Sequence, residues 1–383
     1  MTNHRRNIGV LISDSSDSET ETAQLPESGF CRELCSHGAK LGLFVYLFRA
    51  SSVKKLGDTI TGFVPAASGW KIADCPLPDV IYDRSMERGS NKSILLEELR
   101  KHHSFLLLNG SLPGKWIVYN ALQQDPSIRP LLPPTCRYEG HRQLMSLAKQ
   151  YKSGLFLKPI AGCQGRGALC MQHSGGTWSV SGRTVRNHSF HRSFPSLDTC
   201  TEWIGRFIRS ASYIVQPYLQ LKDKEDRAFD IRTLIQKDKQ GEWSMTGTAL
   251  REGASGSITA NLHGGGAAQS AQPALAKRYG EERALALLQQ IQLVSMQIAL
   301  RLEKSFGRLC ELGLDFGIDQ DGRLWFIEAN SKPGRLCMRE VTDIAAQQAA
   351  LKPLQYASLL IQRRSPLLSV HCQIPADAAV CEH

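Results

Sequence analysis

Asp315, Glu328 and Asn330 sit close together in GLDFGIDQDGRLWFIEAN, Gly313 to Asn330, a strand-like stretch with four carboxylates among apolar neighbours. Asp321-Gly322 is a strong turn pair of type I′. A two-residue loop there sets Gln320 opposite Arg323 and, further along the ladder, Asp315 opposite Glu328. Two carboxylates directly across a ladder repel unless a cation lies between them. Asn330, two residues past Glu328, projects from the same face and adds another oxygen. Such a set suits a hard cation, Mg2+ bridging nucleotide phosphates. A solvated acidic hairpin is the competing reading; Phe316, Ile318, Trp325 and Ile327 on the opposite face fit both. A register slip of one residue would part Asp315 from Glu328.

A second group lies in GLFLKPIAGCQGRGALCM. Period-two alternation puts Phe156 and Lys158 on one strand face and Leu155 and Leu157 on the other. Lys158 ends the strand, and Gly162, Gly165 and Gly167 follow before another strand begins. Glycines let backbone N–H groups converge on an anion, and Lys158 adds a full charge. The spacing is not the dinucleotide fingerprint G-x-G-x-x-G, and a strand rather than a helix follows. GSLPGKW, Gly110 to Trp116, is one residue short of a phosphate loop and ends in Trp116 instead of Ser or Thr. Taken alone, a glycine-rich hairpin is more often a turn than a phosphate cover.

The elements that must position these groups fall into two rhythms. NIGVLIS, LFVYLF, DVIYDR and SFLLLNG read as strands alternating with helices over roughly the first 110 residues, a small α/β domain with a largely parallel sheet. DSSDSETETAQ, Asp14 to Gln24, reads as a mobile acidic loop. After LPPT the pattern becomes helix GHRQLMSLAKQY, strands GLFLKPI, ALCMQH and WSVSG, a helix around Ser196 to Ser210, and strand YIVQPYLQL. Strands DIRTLIQKD and WSMTGTALRE, a long helix from about Pro273 to Phe306 and the acidic hairpin follow. Met338 to Arg364 reads as helical.

The ordered set LFLKPIAGCQGRG, YIVQPYL, FDIRTLI, TANLHGGG and LGLDFGIDQDGRLWFIEANSKPG resembles the ATP-grasp superfamily, and within it the endospore-coat-associated family of YheC/YheD type. The resemblance runs from Ile8 to Arg364. It implies an α/β and α+β chain: an N-terminal small α/β domain (1–110) before the ATP-grasp core, and two α+β subdomains (111–220 and 221–364) enclosing the nucleotide. A weakly structured tail (365–383) follows. Lys158 matches the lysine on the nucleotide phosphates, with Gly162, Gly165, Arg166 and Gly167 in the loop closing over them; Lys115 matches a first phosphate lysine. Gln216, Tyr218 and Leu219 match the hinge whose backbone meets adenine. Asp315, Glu328 and Asn330 match the magnesium ligands, with Mn2+ as a substitute ion. Arg232, Arg251 and Asn261 match catalytic positions facing the phosphates or the acyl substrate, and Gly264 to Gly266 read as a flexible loop or a backbone cradle.

The chemistry the resemblance implies is ATP-dependent ligation: a carboxylate becomes an acylphosphate, and an amine takes the acyl group. Two features depart from the pattern. An extra acidic residue often stands beside the metal pair, and here Asp319 lies near the turn instead; Arg166 either binds phosphate or faces solvent. The alternative is a spore-coat structural or interaction protein that keeps the fold with little or no turnover.

Composition sets the outer bounds. With 383 residues, 42% hydrophobic, the chain is long enough for two or three domains. No apolar run approaches the ~18–20 residues that span a bilayer, and the N-terminus lacks a signal-peptide core, so the expectation is a cytoplasmic protein, with the spore coat as an associated location. Eleven scattered cysteines without CxxC pairs favour buried free thiols. The net charge of +10 favours phosphate-bearing ligands, and no basic-aromatic signature supports nucleic acid. The expected partners are thus a nucleotide, an unidentified carboxylate and amine, and spore-coat proteins.

Overall fold

A computed structural model describes residues 6–14, 25–54, 57–86, 90–162, 165–222, 227–253 and 266–364. The chain forms two compact units: the described parts of Met1–Leu108, Lys237–Glu242 and Ala350–His383, and those of Asn109–Gln236 and Trp243–Ala349.

The first unit is built on β1 (Arg6–Ile12), α1 (Ser28–Lys40), β2 (Leu43–Arg49), β3 (Thr59–Pro65), β4 (Trp70–Pro76), β5 (Val80–Asp83), α2 (Ser90–His102) and β6 (Leu106–Leu107). Its sheet runs β4-β3-β2-β1-β5-β6. β1 pairs in parallel with β2 and β5, and β5 with β6. These central strands are apolar almost throughout because both faces are covered. The antiparallel β3–β4 hairpin at one edge is absent from the sequence reading of a largely parallel sheet. TITGFVP and WKIADCP flank a turn in which Ala66 N–H donates to the Gly69 carbonyl at 3.2 Å.

In the second unit, α3 (Lys115–Gln123), β7 (Cys136–Arg137), α4 (His141–Gln150), β8 (Leu155–Pro159), β9 (Leu169–Ser174), β10 (Thr177–Arg183), β11 (Ser189–Phe194), α5 (Leu197–Ile208) and β12 (Tyr213–Pro217) come first. Their strands form an antiparallel sheet ordered β11-β10-β9-β8-β12-β7. Leu144, Ala148, Cys200, Ile204 and Ile208 of α4 and α5 pack against Leu155, Leu157 and Val215. The other face of β8, carrying Phe156 and Lys158, is thereby left for a different task.

Then come β13 (Phe229–Lys237), β14 (Trp243–Glu252), β15 (Ala267–Ser270), α6 (Ala271–Tyr279), α7 (Glu281–Phe306), β16 (Glu311–Ile318), β17 (Leu324–Asn330), α8 (Leu336–Arg339) and α9 (Asp343–Arg364), the last belonging to the first unit from Ala350 on. The sheet order is β15-β14-β13-β16-β17. The single long helix expected from Pro273 to Phe306 is two helices. Gly280, at φ 83°, closes α6 by donating its N–H to Ala276 and opens α7, a backbone conformation that glycine adopts without strain. By length and apolarity alone α7 could cross a bilayer. One stripe of it, Ala284, Leu287, Ile291, Ile298 and Leu302, packs instead into the core with Leu312, Leu314 and Phe316 of β16. The eight described cysteines are all free, and burial, aided by Glu27, pushes the Cys31 thiol up to about 12.

Candidate functional site

The acidic hairpin reaches the expected pairing by a different route. Asp315 does face Glu328, and Gly313 faces Asn330. Near the tip, however, Ile318 pairs with Leu324, so the turn spans five residues instead of two. Asp319 closes it: Asp319 N–H donates to Arg323, and the Asp319 carboxylate accepts from the N–H groups of Asp321 and Arg323 and from the Trp325 indole at 2.7 Å. A register shift between Asp315 and Phe316 then leaves Ile327 as an extra residue on β17, which restores the Asp315–Glu328 pairing. The face assignment changes with it. Leu324 and Phe326 join Phe316 and Ile318 in one core cluster, while Trp325, though buried, and Ile327 lie outside it.

The bulge has a chemical consequence. The Ile327 carbonyl accepts a hydrogen bond from Lys158 Nζ at 3.3 Å, tying the two sheets of this unit together at the lysine. Lys158 is 8% exposed. Burial pushes its ammonium down to about 8; Glu328 and Asp315 pull it up, and Lys115 pushes it further down. Lys115, in the first turn of α3, donates to the Gly162 carbonyl at 2.8 Å and lies 3.9 Å from Glu328 Oε2. Both lysines, Gly162, Gly165, Arg166, Asp230, Arg251, Asp315 and Glu328 line one cavity of about 120 Å3.

A second cavity of about 120 Å3 adjoins it, sharing Phe156, Lys158, Asp230 and Ile327. Its remaining wall is Gln216 to Leu219 with Leu221, Lys222, Ala228 and Phe229. One end is therefore cationic and carboxylate-lined, the other mostly apolar. Some hinge groups are already engaged: Tyr218 N–H donates to Gly154, the Leu219 carbonyl accepts from Leu221, and the Gln216 amide donates to Thr135. A larger cavity of about 600 Å3 lies beside α6 and shares only Lys222 with this pair.

A chain of four alternating charges runs through the cavity wall, with only Arg232 outside the lining. Arg232 Nε and Nη2 bind the two Asp315 oxygens, the second at 2.8 Å. Arg251 forks onto Asp230 with two bonds of 2.6 Å and reaches Asp315 Oδ2 at 3.1 Å. Burial alone would raise the Asp315 carboxyl; the two guanidinium groups outweigh it and hold it below the usual carboxylate range. Asp230 is less fully compensated, and burial lifts it to about 6 against the pull of Arg251. Protein cations thus sit on Asp315, where the sequence alone suggested a metal.

The expected residues do not all line the cavity. Arg232 is behind Asp315, outside the cavity wall. Gly167 is a structural glycine: its carbonyl accepts from the Tyr213 hydroxyl at 2.9 Å. Asn330 lies beside the wall and donates its amide to Glu328 Oε1 at 3.2 Å. Asn261 and Gly264 fall outside the described residues. Asp230 and Ile327 were missed. For Asp230 a signal existed, because in FDIRTLI it stands two residues from Arg232, on the same strand face.

The donor set fits a hard cation. Glu328 offers two oxygens, and the Asn330 amide, donating through nitrogen, leaves its oxygen for another partner. A carboxylate has about four lone-pair sites, so Asp315 keeps acceptor capacity beyond its guanidinium contacts. Among the described residues there is no group of three or more His, Cys, Asp or Glu of metal-holding arrangement, so such a site would depend on the Asn330 oxygen.

Comparison with known proteins agrees with the fold built above. The chain is 27% identical over 347 residues to the endospore coat-associated protein YheC of Bacillus subtilis, covering 88% of this chain and 94% of that one. It is 27% identical over 351 residues to YheD of the same organism, covering 87% and 74%. Among solved structures, D-cycloserine synthetase DcsG superposes with a TM-score of 0.54 at 12% identity, covering 93% of this chain and 99% of that one. The ADP complex of PurK, an N5-carboxyaminoimidazole ribonucleotide synthetase, gives 0.51 at 11% identity, covering 91% and 77%. The model of the YheC/D-like ATP-grasp family matches residues 104–360, and the chain belongs to that family.

Proposed function

We propose that this chain binds Mg2+-ATP across the paired cavities and uses it to activate a carboxylate for attack by an amine. The observation that carries this reading is the division of one continuous site into a cationic end and an apolar end. Lys115, Lys158, Gly162, Gly165 and Arg166 share a cavity lining with Asp315 and Glu328, and Gln216 to Leu219 line the other end. Triphosphate suits the first and adenine the second.

Glu328, Asn330 and Asp315 would hold Mg2+, which when bound supplies charge neutralisation between phosphate oxygens and carboxylates. Lys158 and Lys115 would orient the terminal phosphates and offset the charge that develops as the bond to ADP breaks. Arg251, held charged in the cavity wall by Asp230 and Asp315, is placed to meet the incoming carboxylate or the transferring group. A substrate carboxylate oxygen attacks the γ-phosphorus and ADP leaves; the amine then attacks the acyl carbon and phosphate leaves. No protein nucleophile takes part. The relatives' names extend the proposal to a role at the bacterial spore coat. They also favour a second reading, a coat-associated interaction protein that binds nucleotide without turnover.

Incubation with ATP, Mg2+ and metabolite extracts from sporulating and vegetative cells, followed by mass spectrometry, separates the two. A condensation product accompanied by ADP supports the ligase; nucleotide binding without ADP formation in either extract supports the interaction protein.

A further inference from the structure

We infer that Asp230 is a positioning residue that keeps Arg251 from competing with the cation for Asp315, an inference that rests on the nucleotide reading above. Arg251 has two carboxylate partners of unequal hold. It meets Asp230 through both Nε and Nη2 at 2.6 Å, and Asp315 through Nη2 alone at 3.1 Å. Asp315 lies opposite Arg232 on the neighbouring strand, and Asp230 is two residues along β13 from that arginine.

A divalent cation arriving at Asp315 has to share or displace the single Arg251 contact. Arg251 can give it up and keep its whole fork on Asp230, so it stays charged and in the cavity wall. Without the Asp230 charge, Asp315 becomes the carboxylate in this cluster for the Arg251 fork. The cation would then meet two guanidinium forks on Asp315, from Arg232 and Arg251, in place of the Arg232 fork and one longer Arg251 contact. Asp230 therefore does its work through Arg251, without touching the cation.

The test measures Mn2+ binding by electron paramagnetic resonance in the presence of saturating ADP, with metal-free ADP affinity measured by calorimetry in chelator. Wild type is expected to take up Mn2+ with ADP, and Asp230→Asn to bind Mn2+ roughly tenfold more weakly, the scale of a charge-assisted hydrogen bond. Metal-free ADP affinity should not fall. Charge alone also weakens Mn2+ binding in Asp230→Asn, so the double variant Asp230→Asn, Arg251→Lys decides the cause. It has the same net charge but no fork, and Mn2+ affinity should recover most of the loss; no recovery overturns the inference. Should Asp230→Asn fail to fold, Asp230→Ser takes its place in the same titration, with the same roughly tenfold loss expected, and undiminished Mn2+ binding overturns the inference. A wild-type protein that binds neither ADP nor Mn2+ defeats the nucleotide reading itself, a distinct result.

Discussion

Lys158 is where burial, charge and ligand chemistry meet. Its ammonium is pushed down to about 8, first by burial, so it carries charge below that pH and loses it above. A bound phosphate favours the charged form. Nucleotide affinity should thus fall as pH rises through about 8, and binding near that pH should draw a proton from the buffer. Calorimetry in buffers of differing ionisation enthalpy measures the uptake, and buffer-independent heats would contradict it. Glu328 is the largest influence raising the Lys158 value, so Glu328→Gln should move the midpoint lower. Lys158→Ala should cost roughly 1.5–3 kcal/mol of nucleotide binding, the range for a hydrogen bond to a charged group. Lys158 was legible in the sequence because strand alternation is a local signal; the Asp315–Glu328 pairing came out as expected although the two-residue turn it was counted from did not form. The Arg251–Asp230 fork was not legible, since nothing local to ALREG indicates which carboxylate β14 will meet.

At the scale of elements, hairpins set the site. The pairing of Asp315 with Glu328 followed from counting back from Asp321-Gly322, yet the turn is longer and a bulge at Ile327 makes up the difference. Asp319 explains the longer turn: its side chain binds two turn N–H groups and the Trp325 indole, interactions that a two-residue loop would forgo. Bulges are hard to read from sequence because the extra residue is defined only by its partner strand. The glycine turn makes a sharper test. Gly167 has φ 76°, and a Cβ there would lie 3.0 Å from Pro159 Cγ and from the Tyr213 hydroxyl oxygen. Gly167→Ala should destabilise the protein by about 1–3 kcal/mol, the cost of a non-glycine residue in that region. An unchanged urea midpoint with an unchanged slope would refute this.

For the whole molecule, the paired cavities and the four-charge chain all belong to Asn109–Gln236 and Trp243–Ala349. Mg2+-ADP should slow amide exchange in Leu155–Pro159, Tyr213–Pro217 and Leu324–Asn330 while leaving β1 and β2 unchanged. Protection spread evenly over β1, β2 and these strands would place binding elsewhere. The alternation of strand and helix made the first unit's parallel core legible, and the edge hairpin β3–β4 escaped because its alternation is imperfect. The break at Gly280 escaped because the apolar period continues on both sides of it. A calorimetric titration of ATP with and without Mg2+ tests the nucleotide site most directly. The expected result is saturable binding at one site, tighter with Mg2+ and weakened in Lys158→Ala. The absence of saturable binding in both conditions would contradict it.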